Sequence, residues 1–183
     1  MDTDSWVFRV KAEAGESLGH YLGRFHRANH LSHRVIAEHL GIGVSWVEDW
    51  ETPSRRRNPT ELQLMAVSKL VEVAPKQLAK MLPPTLLHLQ TRLCAACYAE
   101  TPVHQAVWQR AEKTECDRHG LNLLLACPAC ETGFHTPALW DDGCCEECGL
   151  RFSQMQGSQA RASQNPQGSP TPSPHPDALE SEQ

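Results

Sequence analysis

A chain of 183 residues with 17 basic against 22 acidic side chains, formal net charge −5, has the length of one domain or two small ones and lacks the basic excess of a bulk nucleic-acid binder. Its start, Met1-Asp2-Thr3-Asp4, is acidic where a leader needs basic residues and an apolar run, and the apolar run from Leu123 to Cys127 is far too short to span a bilayer. The expectation is a soluble, cytoplasmic chain with no membrane partner, whose cysteines in a reducing compartment are thiolate ligands rather than disulfides.

In chain order, residues 1–15 read as an N-terminal arm, with Trp6-Val7-Phe8-Arg9-Val10 either an edge strand or a segment docked on a neighbouring surface. From Glu16 the period turns helical: Leu18, Leu22 and Phe25 recur on one face with Tyr21 beside them, His20, Arg24 and Arg27 line another, and Asn29 sits near the end. Between His33 and Glu51, Ala37, Gly41, Val47 and Trp50 fall at the offsets of a helix-turn-helix: a small residue at the crossing, a glycine at the left-handed turn and two inward apolar residues. Ser32 caps the first of these helices, and Ser45 with Glu48 forms a capping box for the second. The segment resembles the helix-turn-helix of phage-repressor-like regulators, but Glu48, Asp49 and Glu51 stand where a DNA reader needs basic or amide side chains. Trp46, in the first turn of the second helix, is either core or an exposed aromatic anchor for a protein partner.

Arg55-Arg56-Arg57 follows in a Pro-bounded loop, as a solvated run neutralising the acidic helix or as a phosphate contact. Asn58 then caps a helix with Pro59 at its first position and Glu61 at its positive end, its core stripe being Leu62, Met65, Ala66, Leu70 and Val73. Ala74-Pro75 opens a further helix to Leu82, and Pro83-Pro84 closes a helix-turn-helix domain spanning residues 16–83, so five short helices precede the first cysteine.

Residues 84–152 hold all eight cysteines, and seven of them with one histidine form four two-residue-gap knuckles: Cys94 and Cys97, Cys116 and His119, Cys127 and Cys130, Cys145 and Cys148. That gap lets both ligands of a knuckle face one tetrahedral ion, so the count predicts two structural zinc ions with all eight positions filled and none open for catalysis. Pairing is consecutive in the simpler arrangement; in the cross-braced one, Cys94 and Cys97 share an ion with Cys127 and Cys130. Cys144 is a spare thiol, His135 is the nearest substitute ligand, and Gly149 supplies the tight turn that aims amides at a thiolate. Val103 to Lys113 reads as helical with Trp108 packing on the module, and Leu121, Leu123 and Leu125 alternate like a strand leading into Cys127. Ser153 to Gln183, without Phe, Trp or Tyr and with five prolines, reads as a disordered tail. The fold class is therefore mainly α with a small zinc-stabilised β part: a helix-turn-helix bundle, two tandem zinc-ribbon-like modules and the tail.

Glu16-Ser17-Leu18-Gly19-His20-Tyr21-Leu22-Gly23-Arg24-Phe25, the Cys94 and Cys97 knuckle, Trp108, Cys116 with His119-Gly120, and Cys127-Pro128 with Cys130 resemble the TniQ family over about residues 5–152. Arg92-Leu93-Cys94 through Tyr98-Ala99-Glu100, and Pro137-Ala138-Leu139-Trp140 through Gly143-Cys144-Cys145, look most like the short TniQ proteins of type V-K CRISPR-associated transposons. The resemblance implies a non-enzymatic adaptor that links a CRISPR effector, with its guide RNA and tracrRNA at target DNA, to the AAA+ ATPase TnsC, which recruits the transposase; such a chain is nucleoid-associated when assembled. The residues themselves suggest a division of surfaces: Trp46 for protein, and His20, Arg24, Arg27, Arg55, Arg56 and Arg57 for phosphates of RNA or target DNA. A helix-turn-helix and zinc DNA-binding regulator is the competing reading, with the acidic second helix against it. A zinc hydrolase or deaminase lacks its signature motif and an open coordination position, and a redox role fails because each pair has a matching second pair for a metal.

Overall fold

The computed structural model describes residues 8–52 and 57–162. Trp6 and Val7 of the arm, Arg55 and Arg56 of the basic loop, and residues 163–183 of the expected tail lie outside the described residues. The described chain is mainly helical: α1 (Leu18–Ala28), α2 (His33–Leu40), α3 (Val44–Glu51), α4 (Glu61–Val71), α5 (Pro75–Lys80) and α6 (Ala95–Glu100). The small antiparallel sheet consists of β1 (Glu115–Cys116) and β2 (Leu121–Asn122), with Cys116 opposite Leu121.

The first core is built by α1 to α5. Leu18, Tyr21, Leu22 and Phe25 of α1 meet Ile36 and Ala37 of α2, Val47 and Trp50 of α3, and Leu78 of α5, all essentially inaccessible to water. Ser32 caps α2 by accepting from the Val35 amide, and Gly41 ends it at φ 66°, a left-handed turn that only glycine adopts without cost. The arm docks rather than pairing as a strand over its described residues: Ala12 is buried in this core, and Tyr21 donates its hydroxyl to the Val10 carbonyl.

Several local expectations are corrected. α3 starts at Val44 behind Gly43, one residue before Ser45, whose side chain therefore makes no cap bond. α4 is capped by Thr60, not Asn58: its hydroxyl accepts from the Gln63 amide while the Gln63 side chain accepts from the Thr60 amide. The buried stripe of α4 is Leu64, Val67, Leu70 and Val71, with Leu62 74% exposed, because the helix is apolar on nearly every face and α2 and α5 select which face is covered. Val103 to Lys113 contains one 3-10 turn, Ala106–Gln109, and the strand expected through Leu125 is only two residues long.

The second core joins Leu93, Tyr98, Trp108, Leu123, Trp140, Phe152 and Met155 around the cysteines. Met155 overturns a disordered tail beginning at Ser153: Phe152–Ser158 is a 3-10 helix with Met155 wholly buried against α6, and Arg161 forms a bridge with Leu121 at the edge of β2. A single thioether and one glutamine anchor this stretch, a signal that composition averages away.

The two cores interlock through α1. The Ser17 amide donates to the His104 carbonyl at 2.8 Å, the Ala106 amide to Gly15 at 2.9 Å, and Arg27 to the carbonyls of Ala138 and Trp140. Two glycines one helical turn apart let backbone approach α1 on both sides, α3 of the first core at Gly19 and the second half at Gly23. A Cβ on Gly19 would lie 2.5 Å from the Glu51 carbonyl oxygen, and one on Gly23 would lie 2.7 Å from Ala138 Cα.

Candidate metal centres

The structure brings together the ligands of each consecutive set and leaves the cross-braced pairing unformed. In the first centre, Cys94 is the N-cap of α6 and Cys97 lies in its first turn, so helical geometry aims both thiols at one point. Cys116 ends β1 and His119 occupies the turn into β2, where Gly120 at φ 58° turns the chain back and donates to the Cys116 carbonyl. His119 Nδ1 stands 3.7, 3.2 and 3.6 Å from the sulfurs of Cys94, Cys97 and Cys116, and Cys97 is 3.4 Å from Cys116. A tetrahedron with metal distances of about 2.3 Å to sulfur and 2.1 Å to nitrogen has edges of about 3.8 and 3.6 Å, so the donors fit an ion of the size and geometry of zinc.

In the second centre each knuckle is a miniature hairpin closed by two backbone bonds. Cys127 donates to Thr132 and Glu131 to Cys127; Cys145 donates to Leu150 and Gly149 to Cys145. Gly149 sits at φ 71°, and Glu131 takes the same left-handed position at φ 60°. The sulfurs of Cys127 and Cys148 are 3.6 Å apart and those of Cys130 and Cys145 3.5 Å, again tetrahedral edges and far longer than a disulfide bond. Within this coupled set, hydrogen bonds from Thr132 bring the Cys130 thiol down to about 6. Burial pushes Cys145 up and, against a backbone hydrogen bond from Leu150, the neighbouring thiols push Cys148 up, so one thiolate forms at the expense of the others until a metal offsets their repulsion. Cys144 joins neither set, and His135 pairs instead with Glu146 at 3.1 Å.

Two supporting groups were missed in the sequence. Glu100, at the end of α6, reaches His119 Nε2 at 3.2 Å and Arg118 at 2.7 Å, fixing the ring so that Nδ1 faces the sulfurs. Gln159 accepts from the Ala95 amide and donates to the Asn122 carbonyl, both at 2.8 Å, tying the start of α6 to β2 across the centre. Glu100 could have been found as a carboxylate one helical turn beyond Cys97; Gln159 carries no local signal.

The proposed phosphate face is not a free surface. His20 is 1% exposed, bound to Glu16 at 2.6 Å and set edge-on to Trp140. Arg24 closes on the same Glu16 with bonds of 2.9 and 2.7 Å. Burial pushes the Glu16 carboxyl up, but the bonds from His20 and Arg24 outweigh it and hold the group below its usual range. Arg27 is spent on Asp141 and the two carbonyls of the second core. These residues read as cationic from sequence and are internal ties because α1 lies between the two cores. Arg57 pairs with Asp49 at 2.9 Å and lies 5.3 Å from the ring centre of Trp46, which is half-buried at the rim of the first core. Glu51 does not face outward: it is 5% exposed.

A groove of about 1010 Å³ runs between α1 and the second core, with Arg24, Arg27, Arg151, Tyr98 and Trp140 among its lining residues. Among the described residues no helix is long and apolar enough to cross a membrane. No protein-family model matches the chain, and no curated protein matches it.

Proposed function

We propose that the chain is a non-enzymatic targeting adaptor in RNA-guided DNA transposition: a helix-turn-helix bundle (α2 and α3) fused to two zinc-ribbon-like modules, linking a CRISPR effector and its guide and tracrRNA to the AAA+ ATPase TnsC. The observation that carries the adaptor reading is the closure of both donor sets. Four ligands fill each tetrahedron, so a bound zinc holds no water or substrate and acts as a cross-link. The chemistry zinc supplies here is folding energy, with Cys94, Cys97, Cys116 and His119 holding one ion and Cys127, Cys130, Cys145 and Cys148 the other. The choice of partners rests on the TniQ resemblance.

Within this reading Trp46, under Arg57 at the bundle rim, is the anchor for a protein partner. A phosphate backbone of guide RNA or target DNA meets the groove at the exposed Arg151, since Arg24 and Arg27 in the same lining are already held by Glu16, Asp141 and two carbonyls. A DNA-binding regulator is the second reading. It gains from the inward turn of Glu51 and the neutralisation of Asp49 by Arg57, which leave Glu48 as the exposed carboxylate of α3.

Co-purification of the full chain with TnsC and with an effector–RNA complex separates the two. The adaptor forms salt-resistant complexes with both, and Trp46→Ala weakens the TnsC complex while the chain stays folded by circular dichroism. Failure to bind either partner, together with duplex DNA binding that falls steeply with salt, would replace the adaptor with the regulator.

A further inference from the structure

Three helices of the first core converge on a cluster that neither cysteine centre uses. His26 near the end of α1, His33 at the start of α2 and Glu51 at the last position of α3 each present one donor atom within 4.8 Å of the others. The packing dictates this placement. Gly19 lets the α3 backbone at Glu51 press against α1, which drives the carboxylate into the wedge between α1 and the start of α2. There Glu51 Oε2 meets His33 Nε2 at 2.8 Å, while Oε1 stands 3.4 Å from His26 Nε2. The second contact is an ion pair only if His26 is protonated, and it lacks hydrogen-bond geometry; Oε1 is fully buried without a hydrogen-bond partner among the described residues. A buried carboxylate oxygen with nothing to bind costs free energy that folds avoid, and it calls for a ligand.

From this geometry we infer a third metal site, in which His26, His33 and Glu51 bind an exchangeable first-row divalent transition-metal ion such as zinc or cobalt. Two imidazoles and one carboxylate are a donor set such ions take, and a tetrahedral ion about 2.0–2.2 Å from each donor needs edges of about 3.4 Å. The separation of His26 from Oε1 matches this at 3.4 Å, and the 2.8 Å between His33 and Oε2 lengthens as the ion replaces that hydrogen bond. The two rings stand 5.2 Å apart, edge to face, converging on the carboxylate. The ion satisfies Oε1, and it joins α1, α2 and α3 at one point.

The site differs from the cysteine centres in two respects that set its behaviour. It has three protein donors instead of four, so a coordination position remains for water or an incoming ligand. It also opens to solvent on the histidine side, where the His33 side chain is 34% and that of His26 20% exposed. The ion therefore exchanges where the ions of the cysteine centres do not.

The test uses the full chain, loaded with zinc and dialysed to two tightly held ions, titrated near neutral pH with Co²⁺ by calorimetry and visible spectroscopy. The wild type takes up one further ion per chain, with weak visible bands and no thiolate charge transfer, since the donors are nitrogen and oxygen. His33→Ala, in a partly exposed ring, and Glu51→Gln each weaken that uptake by roughly 100-fold or more, beyond what the loss of an outer partner of a ligand costs. Both keep the two tight ions. Should Glu51→Gln fail to fold, His33→Ala decides. No uptake by the wild type, uptake as tight in folded His33→Ala, or cobalt bands of thiolate type would each overturn the site and leave the cluster as an ion pair.

Discussion

His104 is wholly buried, with Trp108 and Trp140 edge-on to its ring at 5.4 and 5.2 Å and Ser17 Oγ sharing a 2.9 Å hydrogen bond with Nδ1. Burial holds its pKa well below the usual histidine value, so the unfolded chain takes up a proton below about pH 6.5 that the folded chain refuses. The stability this group contributes is complete above that pH and is lost as the pH falls. Replacing it in His104→Phe should flatten the decline in melting temperature between about pH 6.5 and 5 relative to wild type. Proton competition at the cysteine centres is common to both proteins, and equal slopes would refute the account. Glu100→Gln keeps the shape but weakens the hold on His119, so affinity at the first centre should fall about 10- to 100-fold while the second is unchanged, as read by chelator competition. At this scale the ligands were legible because two-residue gaps are a local code. The buried Glu16 and His20, and Arg24 closing on them, were not, because charge in sequence says nothing about which cation a neighbouring core will tie down.

Elements show the same division between local and tertiary information. The turn at Gly41 and the cap at Ser32 depend on residues within one helical turn, and both were readable. Thr60-x-x-Gln63 was equally local but was masked by the stronger pattern of Asn58 before Pro59. Thr60→Ala should lower stability by about 1 kcal/mol in denaturant unfolding. The face of α4 was undetermined by a sequence with apolar residues on nearly every side, and contact with α2 and α5 chose it. The Phe152–Ser158 helix teaches the converse, since a stretch poor in large apolar residues is ordered by Met155 and Gln159. Met155→Ala should cost about 2–5 kcal/mol, and removing residues 153–162 should lower the melting temperature and loosen the first centre. Removing residues 163–183 alone is the control.

For the whole molecule, elemental analysis should return two tightly held zinc ions, and Cys127→Ser should unfold the second core, because a structural zinc supplies about 10 kcal/mol or more that so small a core cannot replace. Cys144→Ser should keep both ions. The eight ligands followed from spacing alone, and the consecutive pairing expected as the simpler arrangement is the one the structure brings together, over separations of 25 residues or fewer. The interlock of the two cores did not follow, because it is a contact across 87 residues, as between Ser17 and His104.

The glycine pair of α1 has a mechanical corollary. At Gly19 and Gly23 backbone lies against backbone, so at those two points no flexible side chain is interposed to absorb displacement. The helix is then a strut of fixed length and angle, and surfaces on the two halves keep a constant spacing and bearing. A partner that grips both at once meets a gauge: it fits only if its own contact points match that spacing, and Gly23→Ala, by prising one end away, would spoil the fit at a distance from either contact.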